Sequence, residues 1–324
     1  MAARFECIRP SYVENSELCG GYATGSDRTR VRSEGRIIVA TDHDSNVGQT
    51  YLALRLGMVL LVALLFLAVA IQWISVGCLQ RSISASYFTA TRSVFVGALC
   101  AIGACLIAYR GNTDTENVLL DFSGFVAFVV AFVPTQIDTM CEPSNVPSVE
   151  ELTSGVRNSV WALLVIGVTA VFIGWRLLKR QGNRAGLSKY GKVSLAAAAT
   201  ALLVGVLFFA FWPATFQRIG HNASAIVLFV GIVAVVVLNA LGFARKQGQG
   251  TVAKVATNRY AIVAWAMVLS AIGLGTVGLT VEGFEHWLFC LEAALIFEFA
   301  VFWGIQTNEL GGKATRTASS PSPA

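Results

Sequence analysis

Eight stretches of this chain are apolar over about the 20 residues that a helix needs to cross a bilayer. They run Tyr51–Gly77, Tyr87–Tyr109, Val118–Val133, Val160–Leu178, Val193–Trp212, Ala223–Phe243, Tyr260–Leu279 and Glu285–Gln306. Ala, Gly and Leu occur throughout them, whereas barrel strands would alternate over about ten residues. With no water to satisfy the backbone in lipid, helices are then the remaining spanning structure. Of 324 residues, 55% are hydrophobic and 13% charged, about half the charge of a soluble domain. The expected fold class is all-α: a polytopic transmembrane helix bundle of about eight helices. Seven is the alternative count, because the third run is the shortest and the second the most polar. No internal repeat is evident, which argues against an inverted-repeat transporter.

Basic residues mark the cytoplasmic side of a membrane protein. Arg176, Lys179, Arg180, Arg184, Lys189 and Lys192 join the fourth and fifth runs, and Arg245, Lys246, Lys254 and Arg259 join the sixth and seventh. Arg4, Arg9, Arg28, Arg30, Arg32 and Arg36 precede the first run, and Lys313 and Arg316 follow the last. The segments around residues 134–152 and 280–286 are acidic instead. Eight crossings put every basic segment on one face, with the N- and C-termini both cytoplasmic and the chain in the cell membrane. The expected domains are a mostly disordered tail (1–50) with no signal-peptide core, the bundle (51–307) and a low-complexity flexible tail (308–324). Within the first tail, Arg36–Ala40 reads as a short strand or helix. The +5 net charge lies in the cytoplasmic segments, where topology and anionic lipid account for it, so no nucleic-acid partner is expected.

The seven cysteines form no metal pattern. Cys7 and Cys19 belong to the tail, while Cys100, Cys105 and Cys290 read as small apolar fillers within helices. Cys78 and Cys141 both fall on the outer side, where a disulfide persists.

Ionisable groups within spans are costly and face protein or water. Arg92 and Glu292 lie at matched depths near the outer ends of the second and eighth runs, which makes them an ion-pair candidate. His221, Ser224, Glu282, Glu285 and His286 stand on the same side. Two histidines with carboxylates at this spacing suggest zinc, held by His221, Glu282, Glu285 and His286, although no HExxH motif is present. The stretch "RSISASYFTATR" (Arg81–Arg92) places Ser82, Ser86, Thr89 and Ser93 at helical spacing, continuing to Gly97 and Cys100. Such a small-residue seam packs helices closely. The seam leaves Arg92 unexplained, and an outer polar pocket of Ser84, Tyr87, Arg92, His221, Ser224, His286 and Glu292 is the functional alternative. Asp121 is expected at a helix N-terminus, which welcomes a carboxylate. Glu298, near the middle of the last run, is the candidate proton carrier. "GLGTVG" (Gly273–Gly278) has dinucleotide-fingerprint spacing but no preceding strand, so it reads as helix packing.

The run "SISASYFTATRSVFVGALCAIGACLIAYRG", with "LLDFSGFVAFVVAFVPT" and "HNASA", resembles a family of bacterial multipass membrane proteins with no assigned activity. That resemblance implies a membrane class and no mechanism. More distantly, the helix number and the scattered Ser, Asp and His are similar to seven-helix membrane hydrolases of the alkaline ceramidase type. This likeness implies a zinc held by histidines, although Glu282 stands where a paired histidine four residues before His286 belongs.

Three functions follow from these residues. The first is an integral membrane protein binding membrane lipid or a membrane partner through the outer pocket. The second is a zinc-dependent lipid hydrolase, and the third a proton-coupled transporter using Glu298 and Glu292. Oligomeric state is not legible.

Overall fold

The computed structural model describes residues 25–137, 140–141, 147–180, 189–246 and 256–318, and every described element is helical. Cys7, Cys19, the first part of the N-terminal tail and most of the two basic connections lie outside the described residues. Eight α-helices are seen among the described residues: α1 Gly25–Val76, α2 Arg92–Ala108, α3 Asp114–Phe132, α4 Val149–Arg180, α5 Lys189–Phe211, α6 Pro213–Lys246, α7 Arg259–Thr280 and α8 Trp287–Ala318. Helix α1 begins at Gly25 and α8 runs to Ala318, so both continue into what the sequence reads as tails. The packing described below is that of residues 49–324, which form one compact unit.

Each boundary has a local cause. Only Trp212 separates α5 from α6, where Pro213 occupies the first helical position. A proline there has its φ preset and loses no intrahelical bond. The Asn258 side chain caps α7, accepting from the Tyr260 and Ala261 amides, and its own amide donates to the Ala240 carbonyl of α6. At α3 the Thr113 hydroxyl accepts from the Glu116 amide. The Glu116 carboxylate then reaches back to the Asn112 amide at 2.8 Å, a variant of the reciprocal capping box.

Seven of these helices are long and apolar enough to span a bilayer. The exception is α2, the second expected span, with 17 residues. At 1.5 Å per residue these cover about 25 Å, slightly less than a hydrocarbon core. A disulfide joins Cys78, just after α1, to Cys141, beyond α3, as the sequence suggested. The far ends of α1 and α3 therefore lie together, and α2 runs back between them as an apolar helix shorter than a full span. We call this the disulfide end of the bundle.

Side chains of α1, α2, α3, α6, α7 and α8 share one apolar core, centred on Met58, Leu106, Leu120, Val236, Met267, Phe302 and Trp303. By contrast, α4 and α5 keep wide apolar faces uncovered: Val165, Ile166, Leu203 and Val204 are each 57–66% exposed. A water-soluble fold does not leave such contiguous faces bare, whereas lipid covers them at no cost. The chain is an integral membrane protein.

Helix association in lipid relies on close packing and hydrogen bonds rather than hydrophobic burial. At the crossing of α2 on α3, Gly103 and Gly124 face each other backbone to backbone. A Cβ on either would lie 2.5–2.7 Å from the carbonyl oxygen of the other.

Closing the 63-residue separation between Cys78 and Cys141 restricts the unfolded chain. Replacing either cysteine by serine is expected to lower stability by about 2 kcal/mol, the low end for disulfides, because helices held in a bilayer are already confined. Thermal unfolding of wild type and Cys141→Ser, with and without reductant, checks this: reductant should shift only the wild type.

Candidate functional site

The segment Ser82–Thr89 is buried at every position between exposed Arg81 and Ala90. It is not the start of a long helix: a short 3-10 helix covers Ser84–Phe88, and α2 begins only at Arg92. The expected hydroxyl seam is therefore corrected, with only Ser93, Gly97 and Cys100 of it lying on α2. The Ser82 and Thr89 hydroxyls bind nearby backbone instead. Ser82 Oγ accepts from the Ala85 amide, and Thr89 Oγ1 donates to the Ser86 carbonyl and meets Thr91 Oγ1 at 2.7 Å. Serine and threonine compete with the helix by such bonds, which is why this stretch turns instead of spiralling.

The expected Arg92–Glu292 ion pair is absent. Arg92 donates to the Tyr87 hydroxyl at 2.7 Å and lies over the Tyr87 ring, 4.2 Å from its centre. Glu292 turns to the other side of the buried segment. Its carboxylate accepts from the Ser84 backbone amide at 3.0 Å and the Ser84 hydroxyl at 2.9 Å. The 3-10 turn frees that amide from helical bonding, and the carboxylate takes it. Among the described residues, Arg92 has no carboxylate within ion-pairing distance. Its position as the first residue of α2 adds to the positive end of the helix dipole.

Two voids flank this segment. A lateral groove of about 420 Å³ is lined by Tyr87, Arg92, Ser93, Val96 and Gly97 on one side, Ala131 and Phe132 at its floor, and Gly155 and Ser159 opposite. The groove exists because α2 and α4 each pack on α3 and make no extended contact with each other. Glycines, serines and an alanine at its edges keep it wide. On the opposite face of α2 lies an internal apolar cavity of about 60 Å³ bounded by Phe95, Leu99 and Ile102, with Ser84 and Glu292 as its polar lining.

The remaining predicted residues disperse. His221, Ser224 and His286 line neither void. His221 is buried, with Nδ1 2.6 Å from the Val133 carbonyl oxygen, so its ring serves the α3–α6 contact. His286 approaches the Gln80 carbonyl at 3.4 Å, and Glu285 is paired with Arg81 at 3.0 Å. Among the described residues no three His, Cys, Asp or Glu side chains group closely enough to hold a metal ion. The zinc set of His221, Glu282, Glu285 and His286 is thus not assembled, since Glu285 already has a partner and His221 points into a helix interface. Asp121, expected at a helix N-terminus, is instead about two turns into α3, whose first-turn acids are Asp114 and Glu116, and it pairs with Arg110 at 3.2 Å. Glu298 accepts from the Ser270 hydroxyl at 2.7 Å, mid-way along the α7–α8 seam.

A second polar centre, unforeseen in the sequence, lies at the opposite end of the bundle. Arg55 of α1 donates to the Tyr109 hydroxyl, and through its other terminal nitrogen to the Gln306 carbonyl at 2.6 Å. Tyr109 donates to Gln306 Oε1 at 3.2 Å, and Gln306 Nε2 to Asn239 Oδ1 at 3.1 Å. Asn239 Nδ2 then donates to Glu116 Oε1 at 2.7 Å. Every donor in this relay points toward Glu116, which lies at its acceptor end with Arg55 at the cationic end. Glu116, Asn239, Gln306 and Tyr109 are all buried. The relay joins α1, the end of α2, α3, α6 and α8, and the capping pattern Thr113-x-x-Glu116 was its one sequence signal.

No protein-family model, curated protein or solved structure matches the chain. The functional reading therefore rests on the site itself.

Proposed function

We propose that the protein binds a phospholipid in the α2–α4 groove, the phosphate on Arg92 and an acyl chain along Val96, Gly97 and Phe132. The observation that carries this is Arg92 itself, an arginine with no carboxylate partner among the described residues, lining a groove between two apolar helices. A guanidinium recognises phosphate through fixed, charge-assisted bonds. The positive end of α2 favours the same charge, so lipids with net negative headgroups are preferred. Disulfides persist in oxidising compartments, so the Cys78–Cys141 bond supports a non-cytosolic position for this end, and on this reading the groove serves the outer leaflet of the cell membrane.

The test is native mass spectrometry of protein released from nanodiscs of phosphatidylcholine with phosphatidylglycerol. Wild type should retain phosphatidylglycerol. Arg92→Ala should weaken it by about tenfold to a hundredfold, the worth of hydrogen bonds to a charged group. Inorganic phosphate should not compete, because the acyl chain contributes to binding. Equal retention by wild type and Arg92→Ala would overturn the proposal, and displacement by phosphate alone would make this a phosphate site.

A further inference from the structure

One half-helix separates the groove from the internal cavity. Arg92, Ser93, Val96 and Gly97 face the groove, while Phe95, Leu99 and Ile102 face the cavity. The outer half of α2 therefore has a void on both flanks, although protein interiors tolerate few voids larger than a water molecule. Side chains bordering a void lose contacts on that side. The other half of α2 is held tightly. Gly103 lies against the backbone of Gly124, Leu106 is fully buried, and Tyr109 is locked into the Arg55–Glu116 relay. Helix α2 is thus pinned backbone to backbone at one end and flanked by voids at the other, where Phe95 and Ala98 pack with Leu65, Val69, Ile83 and Phe88.

The Ser82–Thr89 segment is continuous with the void-flanked end, shares its small apolar cluster through Ile83, Tyr87 and Phe88, and borders both voids. Tyr87 lines the groove, Ser84 lines the cavity, and only two residues separate them. The segment's side-chain hydrogen bond to α8 is the grip of Glu292 on Ser84.

We propose that lipid in the groove controls access to the internal cavity, with the outer half of α2 and the Ser82–Thr89 segment moving as one about the Gly103–Gly124 contact. This rests on the lipid reading of the groove. A filled groove holds α2 against the cavity and keeps Ser84 seated on Glu292. An empty groove gives the half-helix room to swing away from the cavity, which breaks the Ser84–Glu292 bonds and opens the space beneath them. The element has two packings because it has a void on each side, and a ligand that occupies one void selects between them.

Hydrogen exchange of the full chain, disulfide intact, tests this in phosphatidylcholine nanodiscs with and without phosphatidylglycerol. Native mass spectrometry of the same samples reports lipid retention. Backbone amides from Ser84 to Phe95 should exchange about tenfold more slowly when the lipid is retained, as expected for a ligand at about ten times its Kd that must leave before opening. The amides from Asn112 to Asn117, at the relay, should not change. Retained lipid with unchanged or faster exchange over Ser84–Phe95 would overturn the coupling and leave the groove reading intact. Uniform slowing along the whole chain would also overturn it, since that is general stabilisation. Loss of lipid retention would remove the groove reading, and the coupling with it.

Discussion

Replacing Glu116 by alanine is expected to cost about 3–5 kcal/mol of stability, the effect of breaking a buried charged network from one side. The substitution leaves the Asn239 amide and the Asn112 amide without their acceptor. It also removes the carboxylate that lies at the other end of the relay from the Arg55 guanidinium. Asn239 is buried, so its amide cannot turn to bulk water instead. The comparison is Asp121→Ala, which removes a carboxylate from the same helix. Asp121 and Arg110 are 43% and 55% exposed, and such pairs contribute about 1 kcal/mol or less. Thermal unfolding of the two variants in one detergent measures the difference. Equal effects would mean that Glu116 carries no charge balance for the relay.

The second large effect is expected where α2 crosses α3. Gly124→Ala would place a methyl 2.5 Å from the Gly103 carbonyl oxygen and 2.7 Å from Ile107 Cγ1. Carbon–oxygen contacts of this kind are normally about 3.3–3.6 Å, so the helices must part by close to an ångström. The obstacle at Gly103 is backbone, which has no rotamer by which to yield. A loss of about 3 kcal/mol, the upper end for overpacking, is expected. Gly97→Ala on α2 provides the opposite sign. Nothing lies within 4 Å of its added methyl, so the gain of about 1 kcal/mol from alanine in a helix should appear unopposed. Opposite shifts in unfolding temperature for two glycines on one helix pair would establish where α2 is pinned.

Much of the architecture is legible in the chain because membrane spans announce themselves by local composition. The apolar runs fall on α1 and α3–α8, and counting crossings puts Cys78 and Cys141 on one side, where the structure bonds them. Residues 82–91 mislead for a physical reason. Their helical spacing of Ser and Thr is real, but hydroxyls that bond their own backbone defeat the helix that the spacing implies. Arg92 and Glu292 mislead differently, since matched depth says nothing about direction around the helix axis. They stand on opposite sides of a buried segment, and the donor that Glu292 chooses is a backbone amide that no sequence pattern displays. The relay was illegible because Arg55, Tyr109, Glu116, Asn239 and Gln306 are contributed one by one from distant parts of the chain. Only Glu116 carried a local clue, in its spacing from Thr113.

Filling the groove without touching its charge tests the central claim most directly. Gly155 lines the groove from α4, and a Cβ added there meets nothing within 4 Å. Gly155→Leu would occupy the acyl path while leaving Arg92 and Tyr87 in place. Native mass spectrometry of this variant, released from nanodiscs containing phosphatidylglycerol, should show the lipid lost while thermal stability is maintained. Retention at the wild-type level, with stability equally unchanged, would contradict a lipid seated between α2 and α4.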